Sequence, residues 1–172
     1  MFIQSRQTAL IAILGAAILI SCQISAAAED YFRLATQFRG PTVNLDINNG
    51  GPYDNIPMLV PRGNFSGQFW RMTSAGNGYY RLTTQFRGDS MCLDIFNGGE
   101  FDNMPHLAPC ADFTGQYWKF RQDGGRFRLV TMFRGDGMCL DVFNGGAMNN
   151  MLHLAPCANF SGQFWTKLPP SR

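Results

Sequence analysis

The alternation of apolar and polar side chains along this chain predicts short β-strands joined by turns. Residues 79–84 alternate and are rich in strand-forming types, and residues 91–95 have the composition of a second strand. Residues 106–108 make a third short strand that Pro109 ends, and residues 116–121 alternate again. No window keeps the i, i+3, i+4, i+7 spacing of an amphipathic helix. This stretch therefore predicts four strands and no helix.

The same four-strand pattern is written three times. A Gly-Gln-aromatic-Trp motif recurs about every 47 residues, which is the spacing of one supersecondary unit repeated along a chain. Its tryptophans are Trp70, Trp118 and Trp165. A Leu-Asp pair recurs in register with it and contains Asp46, Asp94 and Asp141. The predicted repeats are residues 31–78, 79–125 and 126–172.

Three similar units favour closure about a threefold axis over a two-sheet sandwich. Each unit can contribute the same strands to a barrel and the same hairpin to the cap of that barrel. The fold class predicted from the repeats is therefore all-β, as a β-trefoil of three four-stranded repeats with pseudo-threefold symmetry.

The first 28 residues differ from the repeats and have the composition of an export signal. Arg6 precedes an apolar run over residues 9–20, which is too short to span a bilayer as a helix and suits the centre of a secretory signal. Two processing sites remain open. Cleavage after Ala28 fits the small residues there, whereas the segment ending at Cys22 resembles the lipobox of bacterial lipoproteins. We expect an exported protein that is secreted, periplasmic or lipid-anchored through Cys22.

Removal of that segment leaves about 144 residues, enough chain for one domain with a real core. We expect a single β-trefoil domain over residues 29–172. The whole chain has 14 Lys and Arg against 12 Asp and Glu, a formal net charge of +2, and no run of like charge. Nucleic-acid binding rests on clustered positive charge, so nucleic acid is not expected as a partner.

Four cysteines stand outside the predicted signal, as pairs with identical spacing in the second and third repeats. The two equivalent positions of the first repeat hold Asn44 and Arg62. The first repeat therefore lacks both cysteines, and the other two repeats have both. Disulfides within a repeat explain this distribution, whereas disulfides between repeats do not. The predicted disulfides are Cys92–Cys110 and Cys139–Cys157. Each would close a loop of about 19 residues and stabilise the fold by roughly 3 kcal/mol. A metal site would need closer cysteine spacing or interleaved histidines.

The repeated motifs resemble the ricin-type lectin repeat. Each of the three repeats has a Gln-x-Trp motif in register with a Leu-Asp pair, and in two repeats a cysteine precedes that leucine. The resemblance covers residues 31 to about 168. It implies a ricin-type β-trefoil lectin domain in which Asp46, Asp94 and Asp141 accept hydrogen bonds from sugar hydroxyls. An ionised carboxylate suits that role because it offers two acceptor oxygens. The alternative role for these aspartates is turn capping at a strand end.

The Gln-x-Trp residues themselves are predicted to be structural. Each tryptophan would bury on the order of 150–250 Å² in the core. The glutamine amides are expected to satisfy buried backbone groups near the aspartate, which would otherwise cost ~1–3 kcal/mol each. These residues are Gln68, Trp70, Gln116, Trp118, Gln163 and Trp165.

The chain departs from the family where an aromatic side chain usually stacks on the sugar. Alanine stands there in the second and third repeats and Val60 in the first, and the asparagine that often precedes the motif glutamine is glycine. Met58 and Val60 supply no polar or stacking group in the first repeat, so we expect its site to be weak or silent. A substitute ring could come from Phe96 and Phe143, or from Phe101 and Tyr53. The predicted ligand-binding residues are Asp94, His106, Asp141, His153, Asp46, Phe96, Phe143, Asn97 and Asn144.

No catalytic, metal-binding or phosphate-binding motif is present in the sequence, and the repeated aspartates are spaced by the threefold symmetry rather than paired for acid–base chemistry. We therefore expect a carbohydrate-binding protein, not an enzyme, with no cofactor and with glycans or glycoconjugates as partners. The membrane would be a partner only through a lipid on Cys22. The alternative is a non-catalytic, protein-binding trefoil, such as a toxin receptor-binding subunit or an inhibitor.

Overall fold

The computed structural model describes residues 31–170. The predicted export signal with Cys22 lies outside the described residues, as do the last two residues. Four strands in each repeat make twelve, as predicted. They are β1 (Arg33–Thr36), β2 (Val43–Ile47), β3 (Pro57–Pro61), β4 (Trp70–Gly76), β5 (Tyr79–Thr84), β6 (Met91–Ile95), β7 (Pro105–Pro109), β8 (Trp118–Asp123), β9 (Arg126–Thr131), β10 (Met138–Val142), β11 (Leu152–Pro156) and β12 (Trp165–Leu168).

Helical structure in the described part of the chain is limited to four single 3-10 turns. One follows β2, and the other three come directly before the tryptophan strands of the three repeats. They are Gly51–Tyr53, Ser66–Gln68, Thr114–Gln116 and Ser161–Gln163. Runs of this length are typical of connectors between strands, so the prediction of an all-β chain is confirmed.

The first and fourth strands of each repeat form one antiparallel barrel. Its six strands run in the order β1-β12-β9-β8-β5-β4. Phe32 N–H donates to Trp70 O at 2.9 Å and Trp70 N–H donates to Phe32 O at 2.8 Å, which joins the two ends of the sheet. Closure of this kind removes the exposed strand edges that an open sheet would present.

The second and third strands of each repeat form three hairpins, β2–β3, β6–β7 and β10–β11. One equivalent backbone hydrogen bond joins each hairpin to the next. These bonds run from Leu59 N–H to Asn150 O at 2.9 Å, from Leu107 N–H to Asn55 O at 2.9 Å, and from Leu154 N–H to Asn103 O at 2.8 Å. The three hairpins therefore surround the threefold axis as a cap, and the β-trefoil predicted from the repeats is confirmed.

The three motif tryptophans fill the core between barrel and cap. Trp70, Trp118 and Trp165 are fully buried. Each indole N–H donates to the carbonyl of the leucine that precedes the repeat's aspartate, at 3.0, 2.7 and 2.9 Å respectively. A buried tryptophan normally finds such a partner for its only donor. The tryptophan thus fixes the end of the second strand, where the aspartate lies.

Both predicted disulfides, Cys92–Cys110 and Cys139–Cys157, are present, each within one repeat. They join the start of a second strand to the segment that follows the third strand. In the first repeat Asn44 is fully buried at the equivalent position and donates from Nδ2 to Pro41 O at 3.2 Å. Asn44 thus bonds to the turn before its own strand and does not bridge to the segment after the third strand, as each disulfide does.

Candidate functional site

The aspartate near the end of β6 is held by two hydrogen bonds. Ile95 N–H donates to Asp94 Oδ1 at 2.7 Å, and the amide of Gln116 donates to Asp94 Oδ2 at 3.0 Å. Gln116 also donates to Pro109 O at 3.0 Å and accepts from Ala111 N–H at 2.8 Å. The amide is therefore committed to the fold. Each carboxylate oxygen of Asp94 can still accept a further hydrogen bond from a ligand.

The other two repeats repeat this arrangement. Gln68 donates to Asp46 Oδ2 at 3.1 Å and Gln163 donates to Asp141 Oδ2 at 2.9 Å. In both cases the N–H of the next residue donates to the Oδ1 atom of the aspartate at 2.7 Å. The aspartate oxygens thus have one common orientation in all three repeats.

The glycine before each motif glutamine makes room for the carboxylate. A Cβ built on Gly67, Gly115 or Gly162 would overlap the Oδ1 atom of Asp46, Asp94 or Asp141. None of these three glycines has a positive φ, so the absence of a side chain serves close approach rather than an unusual backbone conformation. An asparagine at this position, as in the lectin repeat that the sequence resembles, would not fit beside the aspartate as it is oriented here.

A surface cavity lies over each aspartate. The first and second cavities each have a volume of about 380 Å³, and the third has about 240 Å³. Each is lined by the aspartate, by an asparagine three residues later, by the motif glycine and by two phenylalanines. The asparagines are Asn49, Asn97 and Asn144. The structure therefore places the predicted residues Asn97 and Asn144 beside Asp94 and Asp141, and adds Asn49 beside Asp46.

One phenylalanine at the rim of each cavity is mainly exposed to solvent. Phe65, Phe113 and Phe160 have relative exposures of 59%, 61% and 62%, the largest among the exposed apolar side chains of the described residues. These three phenylalanines are not among the binding residues predicted from the sequence. An apolar ring repeated three times within a turn was the available signal, because turn chemistry by itself does not require phenylalanine.

The second phenylalanine of each cavity comes from the following repeat. Phe86 completes the first cavity, Phe133 the second, and Phe38 of the first repeat completes the third. An arginine covers each of these rings, with Arg39, Arg87 and Arg134 lying 4.1–4.3 Å above the ring centroids. Every cavity therefore lies at a junction between two repeats.

The same arginines also contact a side chain of the preceding repeat. Arg87 Nη2 contacts Asp54 Oδ1 at 2.8 Å and Arg134 Nη2 contacts Asp102 Oδ1 at 2.9 Å. At the third junction the partner is neutral, because Arg39 Nη2 donates to Asn149 Oδ1 at 3.0 Å. The junction without an ion pair is also the one with the smallest cavity.

The sequence profile of the ricin-type beta-trefoil lectin domain matches residues 30–165. The chain belongs to this lectin family. Family membership supports carbohydrate binding in general. A comparison of this chain with curated protein sequences found no match.

Solved structures of similar fold include proteins of several kinds. The designed threefold-symmetric protein ThreeFoil is 24% identical, with a TM-score of 0.66, and the match covers 80% of this chain and 97% of ThreeFoil. A mosquitocidal holotoxin is 13% identical, with a TM-score of 0.69 over 83% of this chain and 17% of the toxin. A GlcNAcα1-4Gal-releasing endo-β-galactosidase from Clostridium perfringens is 15% identical, with a TM-score of 0.65 over 81% of this chain and 32% of the enzyme. The lectin domain thus corresponds to less than a third of these two longer proteins.

The histidines of the lectin domain lie beside the phenylalanines that follow the aspartate strands. His106 stacks on Phe96 with ring centroids 3.7 Å apart, and His153 stacks on Phe143 at 3.9 Å. Among the described residues, neither these histidines nor these phenylalanines line the three cavities. Phe96 and Phe143 pack instead against an apolar cluster near the axis formed by Ile56, Met104 and Met151.

The expectation of a weak first site rested on Met58 and Val60, and neither residue lines the first cavity. Met58 packs against the same apolar cluster. Phe101 and Tyr53, the other rings considered from sequence, pack there too, 6.2 Å apart. The first cavity has the same volume as the second and shares its aspartate, asparagine, glycine and two phenylalanines. The stated reason for a weak first site therefore does not apply to this cavity.

Burial changes the proton affinity of three groups near the sites. It raises the pKa of Asp46, although the hydrogen bonds from Ile47 and Gln68 and the charge of Arg33 act in the opposite direction. Burial lowers the pKa of His106 and of His153, and nearby Asp94 and Asp141 oppose that effect. A lowered pKa favours the neutral form of both imidazoles.

Within residues 31–170 no group of three or more His, Cys, Asp or Glu side chains is arranged to hold a metal ion. None of the helical turns described is long and apolar enough to cross a membrane.

Proposed function

We propose that this lectin domain is an exported, non-catalytic, multivalent glycan-binding protein with one sugar site in each of the three junction cavities. The observation that carries this proposal is the repeated pairing of a largely buried aspartate with an exposed phenylalanine across a cavity. Asp94 and Phe113 illustrate the pair in the second repeat.

The two side chains complement the two sides of a sugar ring. The carboxylate accepts hydrogen bonds from hydroxyl groups, and an exposed phenylalanine gives an apolar surface to the C–H face. The asparagine three residues after the aspartate adds one donor and one acceptor group. Phe113 thus takes the role that the usual strand aromatic, replaced here by Ala108, would have.

The test removes the three exposed rings together in the variant F65A/F113A/F160A. These side chains are mostly in solvent, so the fold is expected to survive their truncation with a change in stability of about 0.5 kcal/mol or less. We expect the glycan-array signal of the intact protein to fall at least about tenfold in the variant, which corresponds to about 1.4 kcal/mol.

Met132→Ala is the matched control, because Met132 is also an exposed apolar side chain but lies outside the described lining of the cavities. An array signal that persists in the triple variant would place glycan binding elsewhere. A blank array for the intact protein, together with capture of one defined protein partner, would favour the protein-binding trefoil.

Export is supported by the two disulfides, since such bonds persist in oxidising compartments. Intact-mass measurement of the natural product distinguishes the two processing routes. A mass beginning at Glu29 without a free thiol fits secretion, whereas detergent-phase protein that becomes soluble on Cys22→Ala fits a lipid anchor. A cytoplasmic product with an unprocessed N-terminus would contradict export.

The non-catalytic part of the proposal has its own test. We expect no product when bound oligosaccharides are incubated with the protein and analysed by chromatography. Release of shorter sugars that depends on Asp94 or Asp141 would show that the domain is an enzyme.

A further inference from the structure

The second cavity differs from the other two by one charge. Asp112 lines it, whereas Asn64 lines the first cavity at the equivalent position and Asn159 is the equivalent residue of the third repeat. The second cavity therefore has two carboxylates, on Asp94 and Asp112, and each of the others has one.

No lysine or arginine is among the described residues that line this cavity. Two cations are near it. Arg81 Nη2 lies 3.7 Å from Asp112 Oδ1, and Arg134 covers Phe133 but is paired with Asp102. The Asp112 side chain is 91% exposed, so it remains accessible to a ligand as well as to Arg81. It also accepts a hydrogen bond from the Tyr117 hydroxyl.

Two aromatic rings, Phe113 and Phe133, line the same cavity as the carboxylates. Arg134 already covers Phe133, so the exposed ring of Phe113 is the one available to a cation. The face of an aromatic ring attracts a cation, and a charge-assisted hydrogen bond to a carboxylate is stronger than a neutral one. A protonated primary amine makes both interactions, whereas an N-acetyl group is uncharged and offers a single donor. The lining of the second cavity thus complements an ammonium group better than its acetylated form.

We propose that the second cavity selects glycans that contain a free amino sugar over the same glycans in N-acetylated form. This inference rests on the proposed function and adds the ligand class of one site. Asp46, Asp94 and Asp141 orient the sugar in the same way, each in its own cavity. Asp112 provides the selectivity for the amine in the second cavity.

The test measures the second site alone in the full-length variant F65A/F160A, which lacks the exposed phenylalanines of the first and third cavities. The probes are a glucosamine tetrasaccharide and the N-acetylglucosamine tetrasaccharide of the same linkage. We expect calorimetry at neutral pH and low salt to give roughly fivefold tighter binding of the amine form, as for a unit charge pair about 4 Å apart in solvent. Added salt should reduce the ratio, since both charges are exposed.

Asp112→Asn in the same background gives the second site the residue found in the other repeats. We expect the ratio of the two affinities to fall to about 1. The reciprocal variant, Asn64→Asp in the F113A/F160A background, should create a preference for the amine in the first site. Because position 64 lies in a turn and its counterpart in the second repeat is already aspartate, this variant tests the inference without dependence on Asp112.

Equal affinity for the two tetrasaccharides, a preference for the acetylated form, or an amine preference that survives Asp112→Asn would overturn the inference. So would failure of both probes in a protein that binds other glycans. In each of these cases the proposed function stands. If the intact protein binds no glycan of any kind, the proposed function itself fails.

Discussion

Asp94 has its orientation because Gly115 has no side chain. A Cβ at Gly115 would overlap Asp94 Oδ1 and would lie 3.2 Å from the backbone nitrogen of Ile95. Gly115→Ala should therefore push the carboxylate away from Gln116 and lower the free energy of unfolding by about 1–3 kcal/mol, the usual cost of overpacking. Urea unfolding measures this change, and calorimetry with the bound glycan should show weaker binding at the second site.

Gly137→Ala is the control for this substitution. Gly137 has an ordinary φ and a Cβ built on it meets no heavy atom within 4 Å. We expect it to unfold at the same urea concentration as the unsubstituted protein or slightly higher, since alanine reduces the entropy of the unfolded chain. Equal loss of stability in both variants would mean that Gly115 has no special role beside Asp94.

His106 and His153 give a pH dependence with a definite sign. Burial lowers both pKa values below 6.5 in the folded state. The unfolded chain therefore binds more protons in the interval just below 6.5, and the free energy of unfolding falls as the pH drops through that interval. Urea unfolding at about pH 7.5 and about pH 5 should show this decrease.

The variant H106M/H153M is the matched control, because Met58 occupies the equivalent position in the first repeat. We expect a weaker decrease of stability on acidification in this variant. The raised pKa of Asp46 acts in the opposite direction at lower pH, since protonation of that carboxyl favours the folded state, and it is present in both proteins. An identical pH dependence in the two proteins would exclude the histidines as its cause.

At the scale of a single hairpin, the disulfides should stabilise the second and third repeats equally. Each joins residues 18 apart in sequence. The variants C92A/C110A and C139A/C157A should each lose about 3 kcal/mol of unfolding free energy on the chain-entropy estimate. Denaturant unfolding measures the loss, and non-reducing peptide mapping of the intact protein should identify both links. Peptides that join Cys92 to Cys139 or Cys157 would contradict this arrangement.

The hairpins also determine which candidate residues share a cavity. His106 pairs with Asp94 across β6 and β7, yet its ring stacks on Phe96, which packs against the apolar cluster near the axis. The segment after β7 instead brings Phe113 and Gly115 over the aspartate. Strand pairing alone therefore predicts a neighbour of Asp94 that is not in its cavity.

On the scale of the whole molecule, the junctions between repeats should control the cavities. At each junction an arginine covers the phenylalanine that the following repeat contributes to the cavity. This arginine has an acidic partner at two junctions, whereas at the third its partner is Asn149. Asn149→Asp should strengthen glycan binding at the third site by a few-fold at low salt, since an exposed ion pair contributes ~0–1 kcal/mol. Calorimetry in the F65A/F113A background isolates this site.

Asp102→Asn in the F65A/F160A background is the reverse substitution at the second junction. It should weaken glycan binding at the second site by a similar factor, and high salt should abolish the difference from the unsubstituted junction. If neither substitution changes affinity, the ion pairs do not position the phenylalanines that the arginines cover.

The three proposed sites on one domain should produce avidity. Binding to a densely glycosylated surface should weaken by roughly 10²-fold when two of the three rim phenylalanines are truncated, because the remaining site loses the benefit of simultaneous engagement. Surface plasmon resonance on dense and sparse glycan surfaces measures this effect. A loss of only threefold on the dense surface, in proportion to the number of sites, would mean that the three cavities cannot engage one surface together.

The sequence by itself determined the repeat, the strand number, the trefoil and the disulfide pairs of this protein. These properties follow from local alternation and from the period of the Gln-x-Trp motif, both of which are read along one strand or between equivalent positions. The presence of cysteine at both positions of a pair in two repeats, and at neither position in the first, was enough to predict Cys92–Cys110 and Cys139–Cys157.

Only the tertiary structure decided which side chains line each cavity. Phe133 is distant in sequence from Asp94 and belongs to the next repeat, so its contribution depends on how consecutive repeats are placed around the axis. Phe113 and Phe96 are both apolar residues beside turns, yet one is exposed at the rim and the other packs towards the axis. Local pattern does not separate them, because exposure at a turn depends on which other repeat covers it.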